Sequence, residues 1–225
     1  MDLLGTLDSP YVRRVAISLE YYGIQYRHKP ISVFDSFYEF AKINPVVKAP
    51  TVVLDDGLVL LNSSLILDYF ERQSHTRRRL MPDEPLKYAR AVRIIGLALT
   101  ACEKTIQIVY ERKMRPLDKQ YEPWVDRITA QLLTAWRELE YEIDRSKPST
   151  DCSIEQAGIT VAVAWSFSQQ MLGDIVMKGY FQNINAYVTA IEKLHVFQAI
   201  PFCSAHNIEI AKRTEARLRW ALFRS

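Results

Sequence analysis

Residues 8–19, Asp8-Ser9-Pro10-Tyr11-Val12-Arg13-Arg14-Val15-Ala16-Ile17-Ser18-Leu19, decide how this chain is read. Serine is a favoured N-cap, and proline suits the first helical position, where its missing N–H is no loss. Val12, Val15, Ala16 and Leu19 recur at i, i+3, i+4 and i+7 and give the helix one apolar face. The Leu3-Leu4-Gly5 segment before it reads as the end of a short strand. A strand, a tight turn and a helix starting at Ser9 put a hydroxyl at a helix N-terminus. Free backbone N–H groups and the helix dipole make such a place favourable for an anion. A thiolate is one such anion. A serine that merely caps the helix fits the same letters, so both readings stay open on this stretch alone.

Working outward, Gly23 marks the end of the helix, and residues 24–30 can form a second short strand. Asp35 or Ser36 starts a short helix with Phe37, Phe40 and Ala41 on one side. It stops at Asn44-Pro45, because a proline disfavours helix in the residue before it. The β-branched run after Pro50 reads as a strand, and Asp56-Gly57 joins it to Leu58-Val59-Leu60-Leu61 as a hairpin. Asn62-Ser63 starts another helix, carrying Leu65, Ile66, Tyr69 and Phe70. Residues 1–75 therefore read β-α-β-α-β-β-α, an α/β unit.

Residues 76–85 are expected to link this unit to a second one, with Arg77-Arg78-Arg79 as a solvated loop. Residues 86–225 read as all-helical. One helix covers residues 85–110. A second carries Trp124, Ile128, Leu132, Ala135, Leu139 and Ile143 in one stripe. Ser153-Ile154-Glu155-Gln156 matches a capping box, and the run behind it is apolar all round, as for a central buried helix. Gly158 in that run suggests close packing, and Thr160 can bond back to a carbonyl. Residues 184–194 form a further helix, 197–201 a terminating turn, and 207–223 a basic amphipathic helix.

Composition narrows the function. With 48% hydrophobic and 24% charged residues, the chain can bury a real core. A net charge of +3 on scattered basic residues argues against a nucleic-acid partner. Cys102, Cys152 and Cys203 are far apart and form no C-x-x-C pair, which argues against a disulfide framework, a zinc site and a dithiol redox motif. That cysteine usage fits a reducing, cytoplasmic setting. The four histidines have no metal-ligand spacing, so no metal is expected. The sequence MDLLGTLDSPYV predicts no signal peptide, and no apolar run predicts a membrane span.

Three segments in order, SPYVRRV, NPVVKAPTVVLDDG and LNSSLILDYFE, resemble the N-terminal domain of cytosolic glutathione S-transferases, which is similar to thioredoxin. SIEQAGITVAVAW and AYVTAIEKLHVFQAIPF resemble the family's helical C-terminal domain. The likeness runs to about Phe202 and is nearest to bacterial members and those with serine or cysteine at the active site. It implies a thioredoxin-like domain followed by a helical bundle, a homodimer, glutathione as co-substrate and a hydrophobic electrophile as acceptor. Ser9 stands where serine-type members hold the glutathione sulfur, with Thr6 in reserve. Pro50 matches the family's cis-proline, and Ala49 before it would pair its backbone with the cysteinyl part. Lys48 would meet the glycine carboxylate, and Ser63 the γ-glutamyl carboxylate.

Asn62 departs from the Glu or Asp usual at its position, so it brings no charge to the γ-glutamyl ammonium. Tyr11, Cys102, Ile106 and Tyr110 are the expected acceptor lining. Two other activities remain compatible with these residues. One is a catalytically weak binding or interaction protein, motivated by Asn62. The other is a glutathione-dependent reductase or peroxidase, ranked lower because this stretch has no cysteine.

Overall fold

The computed structural model describes residues 1–73, 79–151 and 153–202. Strand β1 (Asp2–Leu4) leads through helix α1 (Pro10–Tyr22) to β2 (Arg27–Lys29). Helix α2 (Phe37–Ile43), strands β3 (Thr51–Val53) and β4 (Val59–Leu61), and helix α3 (Ser63–Gln73) follow. The sheet order is β2-β1-β3-β4. The crossover through α1 makes β1 parallel to β2, while β3 runs antiparallel to both β1 and β4. Leu3 faces Val52 across β1 and β3, and both are fully buried in a core shared with Val12, Val15, Leu19, Ile66 and Phe70. Helix α1 ends as expected: Gly23 takes the left-handed conformation, and the N–H groups of Gly23 and Ile24 return to the carbonyls of Glu20 and Leu19.

Gly5 cannot be another residue without movement. Its φ is +126°, and a Cβ there would lie 2.5 Å from Val12 Cγ2 and 2.9 Å from the Ala49 Cβ. The loop before α1 is therefore pressed against both α1 and the segment before Pro50.

The second half is helical: α4 (Pro85–Met114), α5 (Glu122–Ser146), α6 (Gln156–Leu172), α7 (Gln182–Ile191) and a short α8 (His195–Gln198). Helix α4 runs a turn beyond residue 110. It is capped by Glu84, whose carboxylate accepts from the N–H groups of Leu86 and Lys87. The α5 stripe is buried from Ile128 to Ile143, while Trp124, its first member, stays 40% exposed. Helix α6 is the buried centre. A Cβ on Gly158 would fall 2.1 Å from the Tyr187 hydroxyl of α7, and Thr160 Oγ1 donates to the Gln156 carbonyl at 2.7 Å.

Three expectations need correction. The capping box does not form, because α6 starts at Gln156 with no side-chain cap. The Ser153 hydroxyl turns instead to Ser149 and Asp151, and the Gln156 side-chain oxygen accepts from Ser18 of α1. This is the local competition for hydroxyls that polar loops offer. The turn at 197–201 is partly helical, as α8. Arg79 is half-exposed but not merely solvated, since it pairs with Glu71 and Asp83. Glu71 also accepts from the Tyr22 hydroxyl and from the N–H groups of Leu80 and Met81, so it pins the connecting segment to α1 and α3. Arg77, Arg78, Cys152, Cys203 and the expected basic helix over 207–223 lie outside the described residues. Among the described residues, no helix is long and apolar enough to cross a membrane.

Helix α1 packs against α6 and joins the two halves. Besides Ser18, Arg13 reaches across: its guanidinium forms two bonds to Glu192, at 2.8 and 2.7 Å, and donates to the Ile200 carbonyl at 3.0 Å. The element carrying Ser9 is thus tied to the helical half four residues further along.

Candidate functional site

A cleft of about 340 Å³ opens where the N-terminus of α1 meets α4 and α6. Its polar end is formed by Thr6, Asp8 and Ser9, and by Lys48 and Ala49 before Pro50. Its apolar end is formed by Tyr11, Ile106, Val109, Tyr110, Phe167 and Met171, with residues 31–35 along one side.

Ser9 sits at the N-cap of α1 with extended backbone (φ −73°, ψ 121°), and its carbonyl accepts the first intrahelical bond, from Arg13 N–H at 2.9 Å. Its hydroxyl makes no capping bond. Pro10 removes one N–H, the N–H groups of Tyr11 and Val12 precede the first intrahelical bond, and the first turn carries no acidic residue. The Ser9 backbone therefore starts the helix without help from its hydroxyl, and the residue lies in the lining of the cleft.

The Ala49–Pro50 peptide is cis. The segment before it is held by polar bonds: Asn44 Nδ2 donates to Thr51 Oγ1 at 2.8 Å, and Thr51 Oγ1 donates to the Lys48 carbonyl at 2.7 Å. Asn44 Oδ1 accepts from Val46 N–H at 3.0 Å. Opposite, Ser32 Oγ accepts from the N–H groups of Phe34 and Asp35, and the Phe34 ring meets the Tyr110 ring edge-on with centroids 5.9 Å apart. That contact ties the loop after β2 to α4 along the lining of the cleft. Burial pushes the Tyr11 phenol above its usual range and raises that of Tyr110, so both hydroxyls stay protonated at neutral pH.

The expected residues divide into two groups. Ser9, Lys48, Ala49, Tyr11, Ile106 and Tyr110 share the cleft, as does Thr6. Asn62 and Ser63 stand apart from its lining, at the N-terminus of α3. There Asn62 is the capping residue: its φ is +72° and its Oδ1 accepts from Ser64 N–H at 3.0 Å. Ser63 is the first helical residue and is buried, and its hydroxyl accepts from Arg14 Nη1 at 3.3 Å. Pro50 and Cys102 are buried and are not in the lining, and burial pushes the Cys102 thiol up to about 12.

Sequence reasoning missed Phe167 and Met171, which lie on α6 just past its apolar run and whose four-residue spacing carries no sign of a cleft. It missed Phe34 and Val109 for the same lack of signal, and Arg14 because an arginine inside a helical repeat reads as solvated. Among the described residues, no three His, Cys, Asp or Glu side chains gather as a metal site.

A family model described as the N-terminal domain of glutathione S-transferase matches residues 3–78. Glutathione S-transferase U3 of Arabidopsis thaliana is 32% identical over 128 residues, 49% of this chain and 54% of that protein, so the chain spans about half the length of this relative. A glutathione S-transferase of Methylobacterium radiotolerans, solved in complex with glutathione sulfonate, superposes with a TM-score of 0.80 at 21% identity, covering 91% of this chain and 96% of that one. A glutathione transferase family member from Pseudomonas fluorescens, solved with bound glutathione, does so with a TM-score of 0.76 at 25% identity, covering 88% and 97%.

Proposed function

We propose that this chain acts as a member of the glutathione S-transferase family, in which Ser9 activates the thiol of bound glutathione for attack on a hydrophobic electrophile. The observation that carries this is the uncommitted Ser9 hydroxyl at a helix N-terminus, facing a cleft that is polar at one end and apolar at the other.

A free thiol has a pKa near ~8.5 and is mostly protonated at neutral pH. The Ser9 hydroxyl donates to the sulfur and stabilises the thiolate, and the free N–H groups of the first turn add their partial charge. A depression of ~2 units requires about 2.7 kcal/mol, within reach of one charge-assisted bond together with the dipole. The thiolate then forms the new C–S bond, and the leaving group departs with the electron pair.

The backbone of Ala49 pairs with the cysteinyl part, Lys48 meets the glycine carboxylate, and Ser63 with the α3 N-terminus meets the γ-glutamyl carboxylate. Tyr11, Ile106, Tyr110, Phe167 and Met171 receive the acceptor. Assembly as a homodimer in the cytoplasm, with detoxification of electrophiles as the role, completes the proposal.

The test is turnover of a generic aromatic electrophile with glutathione, followed against pH in the native protein and in Ser9→Ala. The expected result is a limb of kcat/KM that rises at a pH ~1–2 units higher in the variant, with about 10- to 100-fold less activity near neutrality. Glutathione binding without turnover would instead favour a binding protein that keeps the fold. Turnover unchanged in Ser9→Ala would remove Ser9 from the mechanism and turn attention to Thr6.

A further inference from the structure

Arg14 is the charge that the proposed mechanism leaves unused. It lies on α1 with 2% of its surface exposed, yet no carboxylate pairs with it among the described residues. Its Nη1 points at two hydroxyls, Ser63 Oγ and Ser64 Oγ, each at 3.3 Å, and its Nε is buried with no partner. A buried, unpaired guanidinium is costly unless something compensates it.

The groups whose charge acts on it are the Cys102 thiol and the Tyr11 phenol, both held neutral by burial. Burial lowers the guanidinium only to about 10, so it remains charged at neutral pH. The two acids of α3 are committed elsewhere, Asp68 to Arg72 and Glu71 to Tyr22, Arg79 and the connecting segment. The α3 N-terminus adds its own positive end and has no acidic residue in its first turn. Asn62 turns its side-chain oxygen to Ser64 N–H, which leaves its amide N–H groups, two further donors, outward. The hydroxyl and amide oxygens here are engaged within the chain, which leaves donors and positive charge toward a ligand, and among the described residues of this corner none offers a negative charge to an ammonium.

We infer that this corner reads the γ-glutamyl end of its ligand as an anion alone, with Arg14 as the positioning residue that holds the Ser63 and Ser64 hydroxyls toward the ligand's α-carboxylate. The inference rests on the glutathione reading above and adds to it a ligand class: γ-acyl thiol peptides that carry the terminal carboxylate, with or without the α-amino group. The ligand carboxylate supplies the negative charge that the fold withholds from Arg14.

The experiment is a calorimetric comparison of three thiols on the full-length protein. They are glutathione, its desamino analogue glutaryl-cysteinylglycine, and its descarboxy analogue 4-aminobutyryl-cysteinylglycine. The desamino analogue is expected to bind within about threefold of glutathione, and the descarboxy analogue about 10- to 100-fold more weakly, the range for a lost bond between charged partners. In Arg14→Met, glutathione should fall to the level of the descarboxy analogue, while that analogue itself keeps its affinity. Arg14→Lys should recover part of the difference. A merely structural role would weaken all three ligands alike.

A loss of tenfold or more for the desamino analogue would overturn the inference, since a carboxylate, such as one from a second copy of the chain, would then be reading the ammonium. Descarboxy binding equal to that of glutathione would overturn it too. Both failures leave glutathione bound, and the native-protein comparison holds even if an Arg14 variant does not fold. No binding of glutathione itself would overturn the functional reading, and this inference with it.

Discussion

Removing the Glu192 carboxylate should cost more than removing the Arg13 guanidinium, although either change breaks the same two bonds between them. Arg13 is 1% exposed and Glu192 is 29% exposed. In Glu192→Met the guanidinium stays buried, with only the Ile200 carbonyl at 3.0 Å and the face of Phe197, 5.7 Å from its carbon, for company. An uncompensated buried charge of this kind costs ~3–5 kcal/mol, and the two remaining contacts place this one near the lower end. In Arg13→Met the carboxylate left behind keeps the Ser166 hydroxyl at 3.0 Å and reaches water, so the cost falls to about 1–2 kcal/mol. The Arg13→Met/Glu192→Met pair removes both charges from the α1–α7 seam and should be no worse than Glu192→Met alone, giving a coupling energy of about 1–3 kcal/mol.

Urea unfolding of the four proteins measures this directly, and in thermal melts each kcal/mol corresponds to about 2–4 °C for a chain of this size. Equal costs for the two single variants, or additive behaviour in the double variant, would refute the argument from asymmetric burial. The stake is functional as well as structural, because Arg13 lies one turn beyond Ser9 on the helix that sets the polar end of the cleft.

Other outcomes follow from single contacts. Gly158→Ala places a Cβ 2.1 Å from the Tyr187 hydroxyl and should destabilise by ~1–3 kcal/mol less about 1 kcal/mol of helix propensity; in Tyr187→Phe the nearest remaining atom is Ile154 Cγ1 at 3.2 Å, so the same change should become neutral, and an unchanged penalty on denaturant melts would contradict this. Asp2 is held below the usual carboxylate range by its bonds to Lys29 and then Arg27, so the stability it adds is present above the unfolded value of ~3.9 and lost as the pH falls through the lower folded value; Asp2→Asn should flatten the fall in stability below about pH 5, and parallel acid profiles would show otherwise. Phe34→Ala removes the ring that meets Tyr110 in the lining of the cleft, and should raise KM for aromatic acceptors severalfold while leaving glutathione affinity unchanged; a change in glutathione binding instead would place the loop beside the glutathione.

What could be read from the letters was what local chemistry dictates. Ser9-Pro10 and Gly23 bound α1 because a cap, a ring-fixed φ and a left-handed stop each act on their own residue. The hairpin at Asp56-Gly57 and the start of α3 at Asn62 are legible for the same reason. The acceptor wall was half legible. Ile106 and Tyr110 share a face of α4, but Phe167 and Met171 continue a helix whose preceding run is apolar on every side, so the pattern does not separate a cleft residue from a core one. The capping box failed because Ser153 had nearer partners in its own loop, a competition that a four-letter pattern does not contain. Cys102 shares the α4 face but lies under it, and depth is a tertiary quantity.

Arg14 is the sharper case. Beside Arg13 in the sequence it looks like half of a solvated basic pair, yet both side chains are buried and their surroundings are opposite in kind. Arg13 has a carboxylate with two oxygens engaged; Arg14 has two serine hydroxyls and an idle Nε. A fold that needed the second arginine only for packing would gain by replacing it with an apolar residue, since a buried charge without a partner is the arrangement most easily improved. Its position therefore makes sense as part of an incomplete pair whose negative member arrives with the ligand. Ser9 follows the same logic at the other end of the ligand, a donor left unspent by its own helix. The two unspent donors lie on one helix, five residues apart. On the reading proposed above, a single short element, fixed by the chain's most legible stretch, orients both a thiol and the carboxylate at the far end of the same small peptide.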